Sequence, residues 1–220
     1  MKRMLLASVG LLAIASAATA ADLPRQMPVK APAYAPAYYN WTGFYLGLNV
    51  GGGFGRSRWD GIPTDTFNTS GALVGGTAGY NWQYGQAVFG LEGDADWSGI
   101  SGTTHVNCPA GCETRNNWLS TIRGRLGYAG DRWMPYVTGG AAFGDIKASI
   151  PGFSSIDTTK AGWTVGAGLE FAIAGPWTAK VEYLYVDLGN ANCGTACSGI
   201  SPDNVSLKEN IVRGGINYRF

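Results

Sequence analysis

From Trp41 onward, apolar and polar residues alternate with a period of two, the mark of strands whose two faces meet different media. In GFYLGLNVG, Phe44, Leu46, Leu48 and Val50 share one face, and Tyr45, Gly47, Asn49 and Gly51 share the other. The pattern recurs in ALVGGTAGYNW (72–82), AVFGLEGDADW (87–97), WLSTIRGRLGY (118–128), PYVTGGAAF (135–143), WTVGAGLEFAI (163–173), WTAKVEYLY (177–185) and IVRGGINYRF (211–220). Each of these eight segments is about the ten residues that a tilted strand needs to cross a bilayer. Their connections alternate as well. Tight turns fall around Gly85, Gly130-Asp131 and Gly175-Pro176, and longer polar stretches near 55–69, 99–115, 146–160 and 189–204. Short turns on one side and long loops on the other predict an all-β protein, an eight-stranded antiparallel up-and-down transmembrane β-barrel. An even strand number puts both termini on the short-turn, periplasmic side.

A soluble barrel would have the same strand count with its apolar face inside. Eight strands enclose an interior only wide enough to be filled by side chains. The polar face is rich in glycine and carries both signs of charge, so it fits that interior, whereas Phe, Leu, Val and Trp would crowd it. The apolar face therefore points outward, into lipid. Trp41, Trp82, Trp97, Trp118, Trp133, Trp163 and Trp177 fall at or near segment ends, where interfacial rings are expected; only Trp59 falls in a loop. On this reading an outward Leu169→Arg costs more than an inward Gly166→Ser.

The N-terminus sets the compartment. Lys2 and Arg3, an apolar run from Leu5 to Ala15 and the Ala18-Thr19-Ala20 site read as a secretory signal peptide over 1–20. Pro24, Pro28, Pro32 and Pro36 make 21–40 an extended periplasmic tether, which leaves 41–220 for the barrel and its four long outer loops. Removing Lys2 and Arg3 from 16 basic residues leaves 14 against 15 acidic ones, a balance that excludes a nucleic-acid partner. The 34 glycines show no G-X-Y period, which excludes collagen.

The stretches ADLP (21–24), WTGFYLGLNVGGGFG (41–55), PYVTGG (135–140), AKVEYLYVDLG (179–189) and the NYRF ending resemble the porin-family outer-membrane β-barrel surface antigens of alphaproteobacteria, relatives of the OmpA-type membrane barrel. The resemblance covers nearly the whole mature chain. It implies location in the Gram-negative cell outer membrane and an envelope-structural or surface-interaction role, and some relatives have been linked to haem; the alternatives are a surface receptor or adhesin binding haem or a host molecule through the outer loops, and a small-solute pore, which the strand number disfavours. It also implies that Ile216, Tyr218 and Phe220 are the C-terminal signal read by the barrel assembly machinery. Expected partners are that machinery and outer-membrane lipid, including lipopolysaccharide.

Candidate chemistry is sparse. His105 is the single histidine, which nearly excludes a Ser-His-Asp enzyme or a histidine-rich metal site and predicts a solvated loop residue. Glu92, Asp94 and Asp96 resemble an acid-base cluster. They share the lumen with Arg123 and Arg125, however, and buried charges must be paired. Glu170, Lys180, Glu182, Arg213 and Arg219 are expected to extend the network around the barrel. A paired structural plug is the reading, with no catalytic residue, metal or cofactor. Cys108, Cys112, Cys193 and Cys197 lie in two outer loops of an exported chain, which favours disulfides. Local pairing, 108 with 112 and 193 with 197, comes first; a cross-link between the loops and a metal site are the alternatives.

Overall fold

The computed structural model describes residues 39–59, 66–106, 111–150, 154–194 and 203–220; the expected signal peptide and most of the expected tether lie outside them. Eight strands, β1 (Gly43–Trp59), β2 (Phe67–Tyr84), β3 (Ala87–Thr104), β4 (Cys112–Tyr128), β5 (Trp133–Ile150), β6 (Ser154–Ala174), β7 (Trp177–Gly194) and β8 (Asp203–Arg219), pair in sequence order. The barrel closes where β8 meets β1, with Tyr45 opposite Arg219 and Ser57 opposite Leu207. Closure reaches the last residue. The Phe220 N–H donates to the Phe44 carbonyl at 2.9 Å. The Phe44, Phe220, Tyr218 and Trp177 rings run across the seam at centroid distances of 5.8, 5.1 and 5.1 Å. That explains why alternation continues to the terminal carboxylate: the last strand must stay paired along its whole length.

At the turn end, Gly85 (φ 59°) and Gly175 (φ 53°) take the left-handed conformation that a short hairpin requires. At the loop end the strands run further than their apolar segments. They hold 17 to 21 residues rather than about ten. The intervals between strands shrink to 60–66, 105–111, 151–153 and 195–202, so the expected long loops are partly strand. Above the apolar belt, further ladder pairs still satisfy backbone N–H and C=O groups, and polar stretches such as SGISGTT supply them as well as apolar ones do.

The outward face carries Leu48, Val50, Leu91, Trp97, Ile122 and Val181, each more than half exposed. Trp82, Trp118, Trp133, Trp163 and Trp177 are outward too. Trp41 is not. It is fully buried and fills the turn-end mouth beside Val88, Met134 and Tyr136, and its backbone N–H donates to the Gln83 Oε1 at 2.7 Å. Preceding β1, Trp41 is free of the outward alternation and folds across the opening.

The interior departs from expectation in a second way. Large aliphatic side chains do fit inside: Leu73, Ile100, Leu119, Ile146, Leu184, Leu188, Leu207 and Ile211 form a buried layer in the loop-end half. Inward glycines make the room. At Gly53 an added Cβ would lie 2.2 Å from the Ile100 Cδ1. The same crowding overturns the expectation for Gly166, where a Cβ would lie 2.3 Å from the Tyr183 carbonyl oxygen, leaving no space for serine.

Arginine placed on the outward face should therefore be penalised by depth. Leu48→Arg, between the Phe44 and Phe54 rows, should cost about 2–4 kcal/mol, and Leu169→Arg, next to the Phe171 ring at the turn end, should cost less. Urea titration of folding into liposomes measures both, and equal costs would contradict the placement. Gly166→Ser should also destabilise in that assay.

Candidate functional site: the ionic cluster inside the barrel

Between the turn-end plug and the aliphatic layer, charges fill the lumen. Their positions follow from strand register. β3 points Glu92, Asp94 and Asp96 inward at alternate positions, and β4 sets Arg123 opposite Glu92 and Thr121 opposite Asp94. β6 and β7 set Glu170 opposite Lys180, and β7 and β8 set Glu182 opposite Arg213.

Arg123 is the hub. Its guanidinium meets Glu92 at 2.5 Å, Asp94 at 2.7 Å and Glu182 at 2.8 Å, while its Nε donates to the Thr121 hydroxyl at 2.8 Å. Arg213 bridges Asp96 at 2.6 Å, Asp94 at 2.9 Å and Glu182 at 2.8 Å. Lys180 reaches Glu92 across the barrel at 2.8 Å. Arg125 pairs with Glu170 at 2.6 Å and lies over the Tyr136 ring, 4.0 Å from its centroid. All of these side chains are at most 2% exposed. Such burial is tolerable only because every one of these nine charges has a partner of opposite sign, and six of them have two or three.

Nine of the ten residues expected in the network are in it. Arg219 is not: it donates to the Thr42 carbonyl at 2.7 Å and lies over the Tyr39 ring at the turn-end mouth. On β8 the inward positions Asn217 and Gly215 separate it from Arg213, and it lies over the Tyr39 and Trp41 rings instead. The alternation placed Tyr45 and Tyr136 inward but not their role. Tyr45 donates to Glu92 at 2.8 Å and Tyr136 to Glu182 at 3.1 Å, each adding a second donor to an oxygen that Lys180 or Arg123 already contacts. Glu209 was missed entirely. It is fully buried at the level of the aliphatic layer, inward on β8 two residues beyond Ile211, and neither carboxylate oxygen has a hydrogen-bond partner. Its signal was the parity it shares with Arg213.

Asp145 serves the backbone. Its carboxylate accepts the N–H groups of Asn117 (2.7 Å) and Trp118 (3.0 Å), which the β4 irregularity between Arg115 and Leu119 frees from the ladder. His105 is exposed just past β3. Among the described residues, no group of His, Cys, Asp and Glu is arranged to hold a metal. Cys112, expected in a loop, opens β4 instead; it is fully buried and is not a free thiol. Cys108, Cys197 and the side chain of Cys193 lie outside the described residues, and the pairing scheme with them.

The chain matches the family model described as outer membrane protein beta-barrel domain over residues 5–220. It is 39% identical over 251 aligned positions to the 31 kDa outer-membrane immunogenic protein of Brucella melitensis, with all of both chains covered. It is 33% identical to the 25 kDa outer-membrane immunogenic protein of Brucella abortus, covering 100% of this chain and 99% of that one. It is 35% identical to the 22 kDa outer membrane protein of Rhizobium leguminosarum bv. viciae, covering 82% and 79%. Among solved structures, Neisserial surface protein A shares the fold, with a TM-score of 0.50 and 12% identity over 81% of this chain and 98% of that one.

Removing the hub tests the cluster. Arg123→Ala leaves Glu92, Asp94 and Glu182 short of a shared cation and should lower stability by about 3–5 kcal/mol, read from the urea midpoint in detergent. Arg115→Ala, which removes an exposed partner of Glu113, should change that midpoint little. A similar midpoint for both variants would contradict the hub role.

Proposed function

This chain belongs to the outer membrane protein beta-barrel domain family and resides in the Gram-negative outer membrane, and on that premise we propose that it is a non-catalytic envelope-structural barrel that shows its loop end at the cell surface. The observation that carries the reading is the cross-lumen ionic cluster. Contacts from β4 to β7 (Arg123–Glu182), from β8 to β3 (Arg213–Asp96) and from β7 to β3 (Lys180–Glu92) tie facing walls together through the space that a conduit would need. The relatives' names as immunogenic outer-membrane proteins support display at the surface. A receptor or adhesin acting through the loops would use segments largely outside the described residues.

A closed lumen gives no discrete conductance steps when the folded protein is added to a planar bilayer. Regular steps from the unaltered chain would make it a small pore and overturn the reading.

The proposal includes delivery by the barrel assembly machinery, with Ile216, Tyr218 and Phe220 as the signal. Loss of Phe220 removes one backbone bond and one ring from the seam, a loss of about 1.5–3 kcal/mol from burial. The truncated chain should fold in micelles yet fail to accumulate in outer-membrane fractions. Normal amounts there would leave the terminal ring as an interface anchor only.

A further inference from the structure

Charged residues on the outward face near the loop end are mostly matched. Arg115 meets Glu113, and Lys147 meets Asp157, each at 2.9 Å. The β8–β1 seam is the exception. Lys208 and Arg56 are directly opposite each other on neighbouring strands, both outward and exposed. Like charges in that position repel. Lys208 has Asp187 at 3.4 Å, but Arg56 has no acidic partner among the described residues.

Register fixes the depth of this pair. Reading across β7, β8, β1 and β2, Tyr183, Val212, Gly52 and Ala72 form one outward row. The next is Tyr185, Asn210, Phe54 and Ser70, and the one after it is Asp187, Lys208, Arg56 and Asn68. The rows pass from apolar, through aromatic and amide, to charged. Aromatic rings of this kind sit at headgroup level. The cations stand two residues further along the strands, about 6–7 Å, on the polar side of that level. Between the last two rows is a cleft of about 650 Å³ lined by Phe54, Arg56, Asn68, Tyr185, Lys208 and Asn210. Its floor is fixed in place, because the Tyr183 hydroxyl donates to the Asn210 Oδ1 at 2.6 Å.

We propose that Arg56 and Lys208, with Asn68 beside them, form a binding site for the phosphate of an anionic outer-leaflet lipid headgroup, whose acyl chains lie along the outward face below. A phosphate between the two cations removes their repulsion. The Arg56 guanidinium offers paired donors to two of its oxygens, and Lys208 adds a point charge. The leaflet rests on the loop-end-outward orientation proposed above, whereas binding in micelles reads the site whatever the orientation.

The test uses the full folded chain in zwitterionic detergent, with purified bis-phosphorylated lipid A as the probe and retained lipid measured after gel filtration. The unaltered protein should retain it, and Arg56→Gln/Lys208→Gln should retain at least tenfold less while folding normally by circular dichroism. The rim variant Arg115→Gln should retain as much as the unaltered chain. Dephosphorylated lipid A should bind the unaltered chain and the double variant equally weakly. Inorganic phosphate that displaced the lipid at equal concentration would show a free-anion site and overturn the assignment to lipid. Equal retention by the double variant, or tighter capture of a soluble sulfated polysaccharide than of lipid A, would also overturn it.

Discussion

A backbone in hydrocarbon has no water to satisfy it, so every N–H and C=O must find a partner within the chain. For strands the only complete solution is a sheet that closes on itself. The pairing of Phe220 with Phe44, the apolar alternation carried to the last residue and the consecutive neighbour order of all eight strands are three expressions of that requirement. An open edge anywhere would leave a row of unpaired groups facing lipid.

Closure with so few strands then dictates the interior. The bore is wide enough for side chains to fill but too narrow for large ones on every strand. The sequence meets this by alternating size as well as polarity. Inward glycine on one strand leaves room for a long side chain from another, as where Tyr45 passes over Gly79 to reach Glu92. The long side chains are arginine, lysine, glutamate and tyrosine in the middle, aliphatic toward the loop end and aromatic at the turn end. Three fillings of different chemistry thus occupy one continuous tube. The middle one is the filling built from ion pairs, and within it Arg123 contacts more carboxylates than the geometry of any single strand pair could supply.

Much of this could be read from the chain, for definite reasons. A period of two is a local property, and the closed eight-strand order follows from it together with the alternation of short and long connections. Which residues face inward also followed, and so did the meeting of Glu92 with Arg123 on adjoining strands. What escaped was set by neighbours distant in sequence. Whether Gly166 has space depends on the Tyr183 carbonyl of the next strand. Whether Arg219 joins the cluster depends on how Trp41 folds over the mouth. The aliphatic layer was hidden because Leu73, Leu119 and Leu184 lie on the inward parity of segments whose apolar signal comes from the other face. Strand length was underestimated because the ladder continues where hydrophobicity stops.

The ionic cluster also bears on how the barrel can be built. Its members come from β3, β4, β6, β7 and β8, and Arg213 and Asp96 are separated by 117 positions along the chain. A sheet holding only the first half of the strands would carry Glu92, Asp94 and Asp96 with the β4 arginines but without Lys180 or Arg213, on a surface open to lipid or water. Contacts of such long range form late and together. Inserting the strands one hairpin at a time would drag unmatched carboxylates through hydrocarbon. Closing the tube before the inner face is desolvated avoids that, and the charge arrangement itself favours a concerted, nearly all-or-none passage into the membrane.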